Sequence, residues 1–249
     1  MAKIKTVLVS QPKPTLVNSP YFDLQKKRKL KIDFVPFIHV KGATLKEIRL
    51  QKVDLSKFSS IILTSRYAVD HYFRVCERMR FKVPDSMKYF CQSEAVAFYL
   101  QKYVVYRKRK IYVGGRTFED LSIQIAKYSE ENYLIPSADV LSPAIPKKLD
   151  ELGVNWIQGT FYKTVISDLS KLKNVYYDIL VFFSPSGIES LFSNFPDFQQ
   201  NNTRIAVYGN STVKAAKEAG LRIDISVPTP KIPSMSKALD IYIEKANKK

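Results

Sequence analysis

The chain has 249 residues, of which 45% are hydrophobic and 25% charged, and both fractions are ordinary for a globular protein. Its formal net charge of +17 favours an anionic partner, such as an acidic metabolite, a nucleic acid or a membrane surface. Two cysteines, Cys76 and Cys91, are too few for a disulfide framework or a structural zinc site. Apolar runs are too short for a membrane span or a signal peptide. We therefore expect a soluble, cytoplasmic protein with both cysteines buried.

Short apolar strands alternate with helical patterns along the chain. Strands are expected at 6–10, 32–37, 60–64, 88–91, 110–113, 132–135, 154–164, 178–183, 204–208 and 223–226. Helices are expected at 22–29, 45–53, 66–80, 94–102, 117–127, 143–152, 187–194, 212–219 and 235–246. Such alternation predicts parallel sheets covered by helices on both faces, which is the α/β class.

One strand-and-helix pattern occurs twice. The segments IILTSRYAVDHYF and LVFFSPSGIESLF align Ser65 with Ser184, and a second pair of similar segments aligns Ser93 with Gly209. The repeated units are far longer than those of a solenoid. We therefore expect two similar α/β halves, whose helix amino termini could bind an anion between them.

Two segments are candidates for the chain crossings between these halves. Residues 155–165 alternate in the manner of a strand and lie between the two copies, and 32–37 is the matching candidate for the outward crossing. The predicted domains are 1–36 with 168–249, and 39–164 as an insertion, with connectors near 36–40 and 158–167.

The candidate binding residues lie at strand-to-helix turns. Free N–H groups and the helix dipole at Ser65 and Ser184 favour a carboxylate or phosphate, although an ordinary N-cap explains either serine alone. Ser186 is an alternative cap, because a glutamate follows at capping-box spacing. The turn at Gly209 is expected to direct the hydroxyls of the next residues toward a ligand, and a tight turn is the alternative.

Other features carry weaker signals. The basic runs at 26–31 and 106–112 could contact phosphates, but solvated surfaces explain them too, and no nucleic-acid module surrounds them. His39 and His71 lack the spacing of a metal site or a hydrolytic triad. Tyr162 is the best available proton donor, although a strand tyrosine more commonly serves packing.

Several motifs in this order resemble the uroporphyrinogen-III synthase family: KTVLVSQPKP, ILTSRYAV, LIPSAD, LDELGV, FYKT, LVFFSPSGIESLF and IAVYGNSTVKAAKEAGL. The resemblance implies two flavodoxin-like, parallel-sheet α/β domains joined by a two-stranded connector, with a ligand cleft between them. It also implies a lyase that dehydrates and cyclises hydroxymethylbilane with inversion of ring D, in tetrapyrrole and heme biosynthesis. The implied substrate carries many carboxylates, and the implied reaction uses no cofactor or metal. The upstream deaminase is then a candidate partner, and a monomer is expected.

The resemblance assigns roles residue by residue. Tyr162 is the implied catalytic residue. The implied substrate-binding residues are Ser10, Gln11, Thr64, Ser65, Ser93, Ser184, Ser186, Gly209, Ser211 and Thr212. The chain departs from the family at Gln11, where an arginine is usual, and at Ser93 and Val96, where glycine and threonine are usual. Lys13, Arg66 and Arg116 are candidates to replace the missing charge.

Two other interpretations stay open at this point. A non-catalytic module could close on an acidic metabolite without turnover, as the family departures would allow. A basic nucleic-acid-associated protein would account for the net charge of +17. The synthase is the prediction that explains the order of the motifs as well as the charge.

Overall fold

The chain forms two units, each built around a parallel β-sheet. The computed structural model describes residues 3–115, 117–172 and 175–248. Unit 1 consists of Met1–His39 and Val165–Lys249 within that described part, and unit 2 of Val40–Thr164. The chain of unit 2 is therefore an insertion into the chain of unit 1.

Strands and helices alternate through most of the chain. The strands are β1 (Thr6–Val9), β2 (Lys31–Phe34), β3 (Ile38–Gly42), β4 (Ser60–Leu63), β5 (Lys88–Cys91), β6 (Ile111–Val113), β7 (Asn132–Ser137), β8 (Asn155–Thr160), β9 (Tyr162–Ile166), β10 (Ile179–Phe182), β11 (Arg204–Tyr208) and β12 (Ile223–Val227). The α-helices are α1 (Pro20–Arg28), α2 (Leu45–Leu50), α3 (Arg66–Arg78), α4 (Glu94–Leu100), α5 (Phe118–Ala126), α6 (Ala144–Glu151), α7 (Pro185–Asn194), α8 (Asn210–Glu218) and α9 (Met235–Asn247).

The sheet of unit 1 has the order β12-β11-β10-β1-β2, and all its neighbours are parallel. Side chains of a strand alternate between the two faces, so Val7 and Val9 pack with α1 and α9 while Leu8 packs with α7 and α8. Both faces are thus covered by helices, which explains why the strands are apolar throughout rather than alternating with polar residues.

The sheet of unit 2 has the order β6-β5-β4-β7-β8 and is also parallel. Ile61 and Leu63 face a core that contains α3 and α4. Ile62 faces the opposite core, which contains α5 and α6. The α/β class and the two parallel sheets predicted from the sequence are therefore confirmed.

Equivalent strands occupy the same positions in the two sheets, but they follow one another in a different order along the chain. The sequence repeat pairs β4 and β5 with β10 and β11, and the remaining strands then pair β6 with β12, β7 with β1 and β8 with β2. Unit 1 has the flavodoxin-like order 2-1-3-4-5, counted along its own strands. Unit 2 has the same arrangement with its first two strands moved to the end of the chain, which is a circular permutation.

The strand assignments at the two crossings differ from those suggested by the sequence, although β3 and β9 overlap the connectors predicted near 36–40 and 158–167. The two-stranded sheet is formed by β3 and β9. The segment 32–37, predicted as the outward crossing, instead contributes β2, the edge strand of the sheet of unit 1. The single strand predicted at 154–164 is divided after Thr160: β8 is the edge strand of the sheet of unit 2, and only β9 pairs with β3. Alternation of side chains identifies a strand but carries no information about its partner.

Helix ends follow the local chemistry. Ser184 is the N-cap of α7, with Pro185 in the first turn, so the alternative of Ser186 as the cap is wrong. The hydroxyl of Ser184 accepts the N–H of Gly187, the third residue of the helix, so the helix is already capped. Pro143 holds the N-cap position of α6, and its side chain has no acceptor.

Candidate active site

Near the centre of each sheet, the helices after two neighbouring strands leave to opposite faces. In unit 1 this place lies between β1, followed by α1, and β10, followed by α7. In unit 2 it lies between β7, followed by α6, and β4, followed by α3. Ligands of open α/β sheets bind at the carboxyl ends of such strands, because the diverging helices leave a crevice there. Several predicted site residues lie at these two places.

In unit 2, Thr64 and Ser65 follow β4, and both are half-buried. Ser65 is the N-cap of α3, and its Oγ accepts the backbone N–H of Ala68 at 3.1 Å. The same Oγ lies 3.3 Å from the hydroxyl of Tyr162. The structure thus brings two predicted site residues into contact although they are far apart in the sequence.

Tyr162 begins β9 and is only 7% exposed. Burial raises the pKa of its phenol above the ordinary 10.0, while hydrogen bonds from Ser65 and from the backbone of Ala138 act in the opposite direction. Ala138 directly follows β7, so the phenol lies at the carboxyl ends of β4 and β7. A buried phenol with two hydrogen-bond partners is held in one orientation and stays protonated at neutral pH.

Two residues of α3 pack against the Tyr162 ring. The imidazole of His71 stacks on it, with 4.9 Å between ring centroids and 21° between planes. The Tyr67 ring lies 6.3 Å from it at 39°. Tyr67 and His71 are four residues apart and therefore share one face of the helix. No role for either residue is predicted from the sequence, although their spacing of four residues on one helix is the signal that could have indicated it.

A cavity of about 390 Å³ adjoins Tyr162. Its walls include Glu47, Gln51 and Asp139, and Lys163 Nζ lies 3.0 Å from a Glu47 carboxylate oxygen. A larger cavity of about 420 Å³ in unit 2, lined by Phe73 and Tyr103 among others, contains none of the predicted site residues. The phenol of Tyr162, the predicted proton donor, therefore lies beside the smaller cavity.

In unit 1, Ser10 and Ser184 face the first turn of α7. The Oγ of Ser184 accepts the Gly187 N–H at 3.3 Å. A Cβ placed on Gly187 would lie 3.7 Å from the Ser184 Oγ and 3.8 Å from the Ser10 Oγ, so both hydroxyls converge on this glycine. Ser10 also donates its backbone N–H to Val181, which ties it to β10.

The turn after β11 has a backbone that requires glycine. Gly209 holds the N-cap position of α8 with φ 87° and ψ 150°, a conformation that is strained for any residue with a Cβ. The helix begins at Asn210, so Ser211 and Thr212 lie in its first turn. Ser211 is exposed, whereas Thr212 is fully buried and its Oγ1 has no hydrogen-bond partner within the described residues.

The other predicted positions are less distinctive. Gln11 is exposed, and Ser186 is half-buried in the first turn of α7. Ser93 is the N-cap of α4 but makes no capping hydrogen bond with its side chain. Val96, a departure from the family, is buried in the core of unit 2.

Two of the three candidates for the replacement charge lie over aromatic rings. Lys13 lies over the Phe22 ring, 5.9 Å from its centroid. The Arg66 guanidinium lies 5.5 Å from the Tyr99 ring centroid. Arg116 is outside the described residues.

The two basic runs have different surroundings. In the first, Lys27 and Arg28 pair with Asp240, Arg28 also pairs with Glu244, and Lys31 lies 3.1 Å from Asp33. The contacts of Lys27 and Arg28 join α1 to α9, so the first run is structural in part. Within the described residues, no ion pair involves the second run, 106–112.

Two further observations concern the parts of the chain that the structure describes. They contain no group of three or more His, Cys, Asp or Glu side chains placed to hold a metal ion. None of their helices has the length and apolar character needed to cross a bilayer.

Comparison with known families decides the identity. The family described as uroporphyrinogen-III synthase HemD matches residues 23–237. The chain belongs to this family. Its members are lyases of tetrapyrrole and heme biosynthesis, so the predicted family, function and enzyme class are confirmed. A comparison with curated protein sequences gives no match.

Solved structures agree on the fold. Uroporphyrinogen-III synthetase from Helicobacter pylori 26695 has a TM-score of 0.61 and 17% identity, covering 97% of this chain and 100% of that chain. A mutant uroporphyrinogen III synthase from the extremely thermophilic bacterium Thermus thermophilus has a TM-score of 0.55 and 13% identity, covering 97% of this chain and 99% of that chain. The fold class expected from the resemblance is thus confirmed by relatives of very low identity.

Proposed function

We propose that this synthase uses Tyr162 as the proton donor that starts the dehydrating cyclisation of hydroxymethylbilane. The contact between the Tyr162 hydroxyl and Ser65 carries the proposal, because it fixes the phenol at the carboxyl ends of the central strands of unit 2. The raised pKa of this phenol keeps the proton available at neutral pH. It also makes Tyr162 a weak acid, so the proton transfer supplies only part of the rate enhancement.

The reaction begins when Tyr162 protonates the terminal hydroxyl of the substrate. The C–O bond breaks, water leaves, and an azafulvene cation remains. The hydrogen bonds from Ser65 and the Ala138 backbone stabilise the phenolate that Tyr162 becomes. The substituted carbon of ring D attacks the cation to form a spiro intermediate, which fragments and closes again with ring D inverted. The proton lost as the product becomes aromatic returns to the phenolate.

Inversion requires that a flexible substrate be held in one geometry. Helix amino termini suit this task, because their free N–H groups and dipole attract carboxylates. In unit 1 the proposed carboxylate sites are Ser10 with Ser184 at α7, and Gly209 with Ser211 at α8. A carboxylate above α8 would also offer the buried Thr212 hydroxyl an acceptor.

In unit 2 the proposed carboxylate sites are the turns at Thr64 and Ser65 before α3 and at Ser93 before α4. Ser93 is suited to this role because its hydroxyl makes no capping bond and is free to donate to a ligand. Gln11 and Ser186 complete the proposed binding set in unit 1.

The product ratio tests the function directly. The purified chain is supplied with hydroxymethylbilane, and type I and type III uroporphyrinogens are separated by chromatography. We expect type III product, with a kcat about 100-fold lower in Tyr162→Phe, the lower end of the range for general acid catalysis. Type I product alone at saturating protein would contradict the function and is the result that a non-catalytic binding module predicts.

Tyr133→Phe is the matched control. Tyr133 is a fully buried tyrosine of the same unit, and its hydroxyl donates to the carbonyls of Tyr128 and Ile125. Its loss should lower stability without changing kcat. A wild-type rate for Tyr162→Phe would remove Tyr162 from the mechanism.

The remaining proposals concern the setting of the enzyme. We propose that it works in the cytoplasm as a monomer without a cofactor, and that it receives its substrate from the upstream deaminase. Cys76 and Cys91 are both buried free thiols, which suits a reducing compartment. Size-exclusion chromatography with light scattering gives the mass of the protein in solution. Measured on the protein alone, it tests the monomer; measured in a mixture with the deaminase, it tests whether the two proteins bind.

A further inference from the structure

Arg74 connects α3 to the backbone of two other segments, at Ala43 and at Phe161, the residue before Tyr162. Its Nη1 donates to the carbonyl of Ala43 at 3.0 Å, and its Nη2 donates to the carbonyl of Phe161 at 2.8 Å. Phe161 immediately precedes Tyr162 and is fully buried. The guanidinium therefore fixes the backbone from which the Tyr162 side chain projects.

The same guanidinium sets the protonation of His71. The Arg74 Nε–H donates to His71 Nδ1 at 3.0 Å. An arginine in a protein is always protonated, so His71 Nδ1 must be the acceptor and the ring proton of the neutral imidazole resides on Nε2. An imidazolium would present an N–H to another N–H and lose this bond.

The charged and titratable groups around His71 support the neutral form. Burial lowers the pKa of His71 first, the positive charge of Arg74 lowers it further, and Asp70 acts in the opposite direction. The Asp70 carboxylate is engaged by the hydroxyls of Tyr99 and Tyr103. Across from α3, the phenol of Tyr162 in β9 is the titratable group that stacks on the imidazole.

We propose that His71 and Arg74 are positioning residues for Tyr162: Arg74 holds His71 as the neutral Nε2–H tautomer, and the stacked imidazole keeps the phenol against Ser65. This inference rests on the proposed role of Tyr162.

Three substitutions separate the parts of this arrangement. His71→Ala removes the stacked ring, whereas His71→Phe keeps a flat ring and removes the acceptor for Arg74. Gly42→Ala leaves both residues in place but puts a Cβ 2.5 Å from the Arg74 Cζ, so the guanidinium must move. His39→Ala is the matched control, because His39 is the other histidine of the chain and is exposed.

Two measurements are made on each variant. The first is kcat and KM for type III product between pH 5 and 9. The second is the ¹³C NMR signal of the Tyr162 ring, identified as the signal that Tyr162→Phe lacks, which reports the position of the ring without turnover. Both use the full chain.

His71→Ala should lower kcat about tenfold with little change in KM, since the loss of a stacked ring is of that order, and should shift the Tyr162 signal. In the wild type, kcat should fall as the pH drops below 6.5 and His71 gains a proton. His71→Phe should restore most of kcat and abolish that fall. Gly42→Ala should move the fall to higher pH, and His39→Ala should change nothing.

A wild-type kcat and an unmoved Tyr162 signal in His71→Ala would overturn the inference, as would an unaltered acid limb in His71→Phe. The failure of the proposed function looks different. In that case Tyr162→Phe has the wild-type rate, while His71→Ala still shifts the Tyr162 signal and so retains the positioning contact.

Discussion

Three serines at helix N-cap positions, Ser65, Ser93 and Ser184, provide a graded test of how helix caps stabilise the two units. Ser65 and Ser184 each accept a backbone N–H of the following helix, at 3.1 Å and 3.3 Å. Ser93 holds the same position at α4 without a capping bond from its side chain. Alanine at position 65 or 184 therefore removes one capping hydrogen bond, and alanine at position 93 removes none. At position 65 it also removes the contact with the Tyr162 hydroxyl.

The magnitudes follow from these contacts. An N-cap serine replaced by alanine costs about 1 kcal/mol. For a unit of about 125 residues, such as unit 2, this lowers Tm by about 4 °C. Ser65→Ala and Ser184→Ala should each show a loss of this size. Ser93→Ala should cost no more than a few tenths of a kcal/mol, because no accepted N–H is lost.

Thermal unfolding followed by circular dichroism measures the three losses, and activity distinguishes their consequences. Ser65→Ala should also lower kcat, because the Tyr162 hydroxyl loses its side-chain partner. Ser184→Ala should raise KM with a smaller effect on kcat. Equal losses of Tm in Ser93→Ala and Ser65→Ala would refute the reasoning, since the hydrogen bonds could not then be their source.

Three other predictions use buried or half-buried groups. Thr212→Val should raise the free energy of unfolding by about 1 kcal/mol, because it replaces an unpartnered hydroxyl, and should lower kcat/KM; a lower Tm would contradict this. Burial alone would raise the pKa of Glu131, but hydrogen bonds from Lys88 and two serines lower it below 4.5. Its stabilising contribution is thus present above pH 4.5 and lost as the pH falls further, and urea titrations of Glu131→Gln should lack this dependence. Burial raises the pKa of Cys76 to about 11 and of Cys91 to about 12, so iodoacetamide at pH 8 should label both only after unfolding.

The sequence predicted the elements well because their signals are local. The helix expected at 66–80 is observed at Arg66–Arg78, and it begins where Ser65 supplies the cap. The same holds for the helix after Ser184, where serine and proline mark the start. Such signals depend on residues within one turn and do not require knowledge of the rest of the fold.

The pairing of strands at the connectors and the surroundings of Tyr162 could not be predicted in this way. The alternating pattern continues through Phe161, although the residues on its two sides belong to different sheets. Likewise, Arg74 looks like an ordinary helix-surface arginine in the sequence. Its acceptors are two carbonyl groups and an imidazole that only the folded chain brings together. Pairing over long separations leaves no periodic signal.

The insertion of one unit into the other gives the nascent chain a fixed order of assembly. β1 is a central strand, yet its neighbour β10 begins only at Ile179. At ribosomal speeds of about 5–20 residues per second, β1 and β2 wait roughly 10–30 s for that neighbour. All strands of the inserted sheet leave the ribosome during this interval. The apolar edge of β1 therefore stays unpaired longest. A ribosome-associated chaperone would be needed most at this amino-terminal segment.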